Sequence, residues 1–210
     1  MTELGSLISR IQWCGYLDGR RRDQHVTDIF DLLSNAELNS GQIEDLLEPL
    51  EMGLAEIPGS RYFIAPTELS MVILHSHQNH TKNTYQKGYH QRLVEEELMQ
   101  QRNSAVASIA WIPIGRSGGH WISYVVDLAT STIFHGDSLG LPMPLDLCNA
   151  LQWWLHDLQK RMRKPTTSPS FRLISITRQT DGFSCGILAT NSLFHYIIPS
   201  RFPLISGDAT

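Results

Sequence analysis

The chain has 210 residues, a length that suits one domain or a tightly packed pair. Hydrophobic residues make up 41% of it, including five Trp, six Tyr and seven Phe, which excludes an intrinsically disordered chain. The net charge of −4 gives no support to a general nucleic-acid-binding role, for which a basic surplus is typical.

Three cysteines, Cys14, Cys148 and Cys185, are too few and too widely spaced for a disulfide scaffold. They form no CxxC pair, so we expect no zinc site built on thiolates. We also expect no other metal and no cofactor. The N-terminus lacks the apolar run of a secretory signal, and no stretch reaches the ~18–20 apolar residues of a membrane span. We therefore expect a monomeric, soluble, intracellular protein, nuclear or cytoplasmic, that binds neither membranes nor nucleic acid. A lone cysteine in such a protein is a candidate catalytic nucleophile.

The first half of the chain is predicted to be mainly helical. Apolar residues at helical spacing predict one helix over 22–35 and a second over 40–57, with Ser40 as the N-cap of the second. A third helix is expected within 84–102.

The segment 61–81 fits neither a helix nor a strand clearly. It contains the motif HSHQNH, with His75, His77 and His80 close together. Imidazoles suit zinc or copper, but no nearby Cys or acidic residue completes a ligand set. We interpret the motif as a polar loop.

The second half combines strands with two helices. Short runs rich in β-branched and aromatic residues predict strands over 108–114, 120–127, 130–137 and 171–177. Helical spacing predicts helices over 146–162 and 185–198, the latter apolar nearly all round and therefore buried. This order indicates an α+β fold with a small central sheet flanked by helices.

The two central strands are predicted to form a hairpin that carries an imidazole and a carboxylate. A two-residue turn at 128–129 would pair Asp127 with Thr130 and place His120 opposite Asp137. Directly paired side chains share a face, with Cβ atoms about 5 Å apart. Leu-Ala is a poor two-residue turn, so a bulge could shift this register by one residue.

The segment QTDGFSCG (179–186) places Cys185 at the start of the apolar helix. Unpaired N–H groups and the positive end of the helix dipole favour a thiolate there. The backbone N–H of Cys185 and the side-chain amide of Gln179 are candidate donors to an oxyanion. A thiolate, a base, an orienting acid and an oxyanion hole are the parts that acyl transfer by cysteine needs.

The motifs HWISYVVDL, FHGDSLG and QTDGFSCG, within about residues 108–198, together resemble the ubiquitin-like-protein-specific proteases. These are the SUMO (sentrin-specific) proteases and their adenain-like relatives. The resemblance implies a papain-like cysteine protease core of mixed sheet and helices. It also implies that the protein cleaves after the C-terminal Gly-Gly of a ubiquitin-like modifier, with SUMO favoured over ubiquitin.

The resemblance implies a role for each residue that matches the motif. Cys185 would be the nucleophile that forms the acyl-enzyme, His120 the general base, and Asp137 the acid that orients it. Gln179 would line the oxyanion hole. Trp121 would form one wall of a narrow channel that selects glycine because no Cβ fits.

The resemblance also implies how the chain is organised. Residues 1–210 would form a single catalytic domain, with a modifier-recognition surface in the helical half, 1–105, and the chemistry in 106–198. The family's N-terminal Trp-Leu-x-Asp pattern, which supplies the opposite channel wall, has no match here. Trp13 or Tyr16 is a candidate substitute.

Several alternatives remain open. The same fold could serve a deubiquitinase or a protease for another modifier, a same-clan acetyltransferase, or a catalytically silent modifier-binding module. His135 shares strand parity with Asp137 and is a rival base. The GDSLG motif (136–140) also occurs in serine esterases, but no Asp-x-x-His follows it here.

Overall fold

A computed structural model describes residues 35–82, 87–100, 105–115 and 118–206, apart from the side chain of His90. The predicted helix over 22–35, and the candidate wall residues Trp13 and Tyr16, lie outside these ranges except for residue 35. Among the described residues, no helix is long and apolar enough to cross a membrane.

The described part of the chain contains five helices and five strands. The helices are α1 (Ser40–Ala55), α2 (Leu69–Asn79), α3 (Tyr89–Gln100), α4 (Leu145–Arg161) and α5 (Cys185–Ile197). The strands are β1 (Tyr62–Ile64), β2 (Ala105–Ile114), β3 (Gly118–Asp127), β4 (Thr132–Gly136) and β5 (Ser170–Leu173).

The strands form one mixed sheet in the order β1-β2-β3-β4-β5. The β1–β2 and β4–β5 pairs are parallel, and the two central pairs are antiparallel. Helices α2, α3 and α4 pack on one face, and α1 and α5 pack on the other. The central strands of the sheet are therefore covered by a helical layer on each face, as the predicted α+β class with a flanked central sheet requires.

The N-cap of α1 differs from the prediction by one residue. The side chain of Asn39, not of Ser40, accepts the backbone N–H of Gln42 at 3.0 Å. The Gln42 side chain accepts the Asn39 N–H in return at 2.9 Å, which completes a capping box. This cap fixes the stretch just before α1, which reaches the candidate site.

The histidine-rich segment is helical, so the predicted polar loop is wrong. Helix α2 buries Leu69, Ile73 and Ser76, which follow one helical face. The third of these residues is polar, and the Ser76 hydroxyl donates a hydrogen bond to Gln91 Oε1. The apolar part of the buried face is therefore too short to be recognised in the sequence.

The register of the central hairpin is also corrected. Asp127 pairs with Thr132 rather than with Thr130. The turn is longer because the Asp127 carboxylate accepts the N–H groups of Ala129 at 2.9 Å and Thr130 at 3.2 Å, and Ser131 turns the chain at φ 51°. A two-residue shift keeps every side chain on its predicted face.

Candidate active site

His120 and Asp137 lie close together at one end of the central strands, where β3 begins and β4 ends. His120 is the third residue of β3, and Asp137 directly follows β4. His120 Nε2 lies 3.1 Å from Asp137 Oδ1, and both residues are buried. The predicted face was right although the pairing was not, because Asp137 reaches His120 diagonally across the hairpin.

The protonation of this pair follows from competing effects. Burial alone would lower the pKa of His120, but hydrogen bonds and charge from Asp137 and Cys185 raise it to about 9. Burial would raise the pKa of Asp137, but the hydrogen bond and charge of His120 hold it below its usual value. The resulting pair is an imidazolium next to a carboxylate.

The third member, Cys185, begins α5. Its side chain is buried at 2% exposure and free of any disulfide. The thiol is close enough to His120 to take part in setting the pKa of the imidazole. Because Nε2 faces Asp137, Nδ1 is the ring nitrogen left for the sulfur. The structure therefore brings the cysteine, the imidazole and the carboxylate into one constellation.

The backbone at the start of α5 suits a developing negative charge. The Ser184 side chain makes no capping hydrogen bond to the helix. Asp181 Oδ1 instead accepts the N–H groups of Phe183 at 2.9 Å and Ser184 at 2.8 Å, which holds the preceding loop. The N–H of Cys185 lies in the first helical turn, where backbone donors lack partners inside the helix. It is therefore available to an oxyanion.

Gln179 is held beside this loop by a residue that the sequence analysis did not identify. Its Oε1 accepts the Ser138 hydroxyl at 2.6 Å, and its backbone N–H donates to the Ser138 carbonyl at 3.1 Å. Its Nε2 donates to the carbonyl of Asp181 at 2.9 Å and has a second N–H left over. Ser138 thus positions the amide. The sequence analysis gave Ser138 no role of its own, although its place directly after Asp137 in the FHGDSLG motif was a signal for one.

Trp121 lies in the wall of a groove beside the constellation. It is only 5% exposed, and its indole N–H donates to the carbonyl of Leu38 at 2.7 Å. Leu38 also packs near Gly186, where an added Cβ would lie 3.3 Å from Leu38 Cβ. The groove, about 310 Å³ in volume, therefore lies next to the start of α5.

Trp111 forms a second aromatic wall that the sequence analysis missed. It pairs directly with Trp121 across β2 and β3, lines the same groove, and is 42% exposed. Its ring lies over Gly119, where a Cβ would come within 2.0 Å of the Trp111 Cε2 atom. The sequence carried a signal for this wall, because only five residues separate the strands predicted over 108–114 and 120–127.

The remaining candidates take other places. His135 is buried on the face that packs against α4, and burial lowers its pKa. Cys148 lies on α4, and burial raises the pKa of its thiol.

Among the described residues, no group of three or more His, Cys, Asp or Glu side chains is arranged to hold a metal ion. His77 and His80 instead stack on each other with ring centroids 5.7 Å apart.

Comparison with known proteins connects this geometry to a family. The Ulp1 protease family, C-terminal catalytic domain, matches residues 67–198, which span β2 to β5 and helices α2 to α5. The chain belongs to the Ulp1 protease family. It is therefore a cysteine peptidase, as predicted. No curated protein sequence matches the chain.

Solved structures show the same fold. The C-terminal Ulp1 protease domain in complex with Smt3, the yeast ortholog of SUMO, is 19% identical with a TM-score of 0.57, over 96% of this chain and 82% of that one. The SUMO protease Ulp1 with its catalytic cysteine oxidized to a sulfenic acid is 18% identical with a TM-score of 0.62, over 98% and 88%. The Xanthomonas campestris effector XopD bound to ubiquitin is 18% identical with a TM-score of 0.50, over 83% and 82%. These likenesses confirm the predicted SUMO-protease type of fold.

Proposed function

We propose that this Ulp1-family peptidase cleaves after the C-terminal Gly-Gly of a ubiquitin-like modifier, with SUMO as the favoured modifier. The observation that carries the proposal is the constellation of Cys185, His120 and Asp137 at the start of α5, beside a groove with two tryptophan walls. The substrate would be a precursor peptide or an isopeptide conjugate.

The proposed chemistry is acyl transfer through Cys185. The thiolate attacks the carbonyl carbon of the terminal glycine, and the new oxyanion accepts hydrogen bonds from the Cys185 N–H and the Gln179 amide. The His120 imidazolium gives its proton to the leaving amine as the C–N bond breaks. His120 then takes a proton from water, which attacks the thioester and releases the modifier and the thiolate.

The groove gives the preference for glycine a physical basis. Trp111 and Trp121 line it together with Leu38 and the start of α2. A tail without Cβ atoms could pass between two indole rings that would exclude larger residues. Trp111 would thus supply the wall that the family's N-terminal tryptophan pattern provides elsewhere.

Two similar structures were solved with different modifiers. The Ulp1 domain is in complex with Smt3, and XopD is bound to ubiquitin. SUMO is favoured here because the motifs of this chain most resemble those of SUMO proteases. Ubiquitin is the alternative substrate, and the experiment must distinguish it from SUMO.

The deciding experiment uses SUMO and ubiquitin that carry a C-terminal propargylamide, which traps a reactive cysteine. The expected result is a stable SUMO adduct on Cys185 by mass spectrometry, and no adduct with Cys185→Ala. An adduct with ubiquitin alone would replace SUMO in the proposal. Binding of either modifier without an adduct would indicate a silent binding module, and turnover of acetyl-coenzyme A would indicate an acetyltransferase.

A further inference from the structure

Strand β5 leaves one edge of the sheet open. Ser170 and Ile174 donate their N–H groups inward, to the carbonyls of Ser131 at 3.0 Å and His135 at 2.8 Å. Alternate residues of an edge strand direct their backbone groups away from the sheet. The N–H and C=O groups of Phe171 and Leu173 therefore face outward, since β5 is the last strand in the sheet order.

This edge carries exposed apolar side chains. Phe171 is 45% exposed and Leu173 is 79% exposed. Their partners in β4 are Ile133 and His135, so both side chains lie on one face of the sheet. Edge strands are normally protected by charges, proline or a bulge, and β5 has one such charge, Arg172. Its exposed apolar face is typical of an interaction surface.

A cavity opens beneath these two side chains, between the sheet and the start of α4. It has a volume of about 310 Å³ and is lined by His135, Pro142, Met143, Cys148 and the strand residues Phe171, Arg172 and Leu173. His135 is 6% exposed, and its Nε2 has no hydrogen-bond partner within the described structure. Buried polar atoms are normally paired, so this nitrogen points to a ligand group that would complete the site. The cavity could therefore hold an apolar side chain and provide one hydrogen-bonding position, at His135 Nε2.

The opposite face of the edge is positively charged. Arg172 lies between Phe171 and Leu173 in sequence, so its side chain points the other way, where its charge acts on Tyr196. In the described ranges, the ion pairs do not include Arg172. A strand lying along β5 would therefore meet an apolar face on one side and a cationic face on the other.

We propose that β5 binds an extended segment of a partner protein as a sixth strand, and that this segment alternates apolar and acidic residues. Its apolar side chains would pack on Phe171 and Leu173 and enter the cavity at His135. The acidic side chains between them would face Arg172. Backbone hydrogen bonds would provide affinity, and the alternating side chains would provide specificity. This inference does not depend on the proposed reaction.

A second copy of this chain fits the edge less well. Antiparallel pairing of two β5 strands would bring Arg172 of each copy to the same region of the interface. Like charges at opposing positions destabilise a strand pair. An acidic segment from a different protein avoids this repulsion.

The test measures the binding of fluorescein-labelled decapeptides to the full chain by fluorescence anisotropy. The probe has Leu-Glu-Leu-Glu-Leu at its centre, and the charge control has Leu-Lys-Leu-Lys-Leu. The acidic peptide should bind at least about tenfold more tightly than the lysine peptide. Two further probes carry N-methyl groups on alternate residues, and only the one whose methylated amides face β5 should lose affinity.

Substitutions locate the binding site. Leu173→Glu should weaken the acidic peptide about tenfold, and Arg172→Glu should reverse the preference toward the lysine peptide. Ile57→Glu, at a side chain 44% exposed just after α1, is the matched control and should change nothing. Circular dichroism checks that each variant is folded.

Three results would overturn the proposal. These are equal affinity for both charge patterns, equal weakening by Ile57→Glu, or insensitivity to N-methylation in both registers. Light scattering that shows a dimer lost on Leu173→Glu would overturn it in favour of a second copy.

Discussion

Two charged clusters, each built around a buried carboxylate, differ in how completely the oxygens of that carboxylate are paired. The Glu95 cluster joins α3 to α4 and consists of Lys87, Gln91, Glu95, Trp154, Asp157 and Arg161. The candidate catalytic cluster, at the end of the central strands where β3 begins, consists of His120, Asp137 and Cys185.

Both oxygens of Glu95 are fully used. Oε1 accepts from Gln91 at 2.8 Å and from the indole of Trp154 at 3.0 Å. Oε2 accepts from Arg161 at 2.9 Å, and Lys87 lies 3.2 Å from both oxygens. Glu95 itself is 2% exposed. Such a network holds two helices in one arrangement and leaves no atom for a ligand.

The candidate catalytic cluster is more deeply buried but incomplete. Asp137 Oδ1 accepts from Leu139 N–H at 2.7 Å and lies 3.1 Å from His120 Nε2. Oδ2 has no hydrogen-bond partner in the described residues. Cys185 begins a helix whose first donors lack a side-chain cap. The two carboxylates are similarly buried, but only Glu95 has both of its oxygens paired with protein groups.

The largest expected effect comes from removing the sulfur. Cys185→Ala should lower hydrolysis of a fluorogenic modifier amide by about 10⁵–10⁶-fold, because the other site residues cannot replace the nucleophile. Cys148→Ala is the matched control on α4 and should retain nearly full activity. A large loss with Cys148→Ala, or retained activity with Cys185→Ala, would mean that the wrong thiol was assigned.

The next effect tests the coupling between Asp137 and His120. Asp137→Asn should reduce kcat/KM by about 10³–10⁴-fold. In the wild type, activity should fall as the pH rises through about 9, where the imidazolium that protonates the leaving amine is lost. Since the carboxylate raises the pKa of His120 and burial lowers it, the variant should lose activity at a lower pH. If Asp137→Asn and the wild type lost activity at the same alkaline pH, this role of Asp137 would be contradicted.

The constellation could be predicted from sequence because each part depends on local pattern. Motifs and strand parity were enough to identify His120 before Trp121, Asp137 after β4, and Cys185 at the start of α5. The predicted register of the hairpin was wrong by two residues. Because side chains alternate with a period of two, each side chain still lies on its predicted face of the sheet.

The supporting contacts could not be predicted, because they join distant segments. The Trp121 indole donates to the carbonyl of Leu38, 83 positions away, and Ser138 donates to Gln179, 41 positions away. No periodicity indicates which loop carbonyl a buried indole will reach. Helix α2 was missed for a related reason, since its buried face contains a serine whose partner lies on α3.

A smaller catalytic effect is expected from the oxyanion donor. Gln179→Ala should lower kcat by about 10²–10³-fold with little change in KM, because the amide would act on charge that develops only in the transition state. Ser138→Ala removes the group that holds Gln179 Oε1 and should cause a smaller loss of kcat. A change confined to KM in either variant would place Gln179 in substrate binding instead.

The smallest effect on catalysis is expected at the Glu95 cluster. Glu95→Ala should lower the free energy of unfolding by about 3 kcal/mol, because it leaves two cations and two buried N–H groups without their shared acceptor. Glu96→Ala, at an exposed neighbour on the same helix, is the matched control and should change stability by less than about 0.5 kcal/mol. Chemical denaturation measures both variants, and kcat at 25 °C should stay unchanged in each. If Glu95→Ala lowered kcat without lowering stability, the completely paired Glu95 cluster would have a role in catalysis and not only in holding α3 against α4.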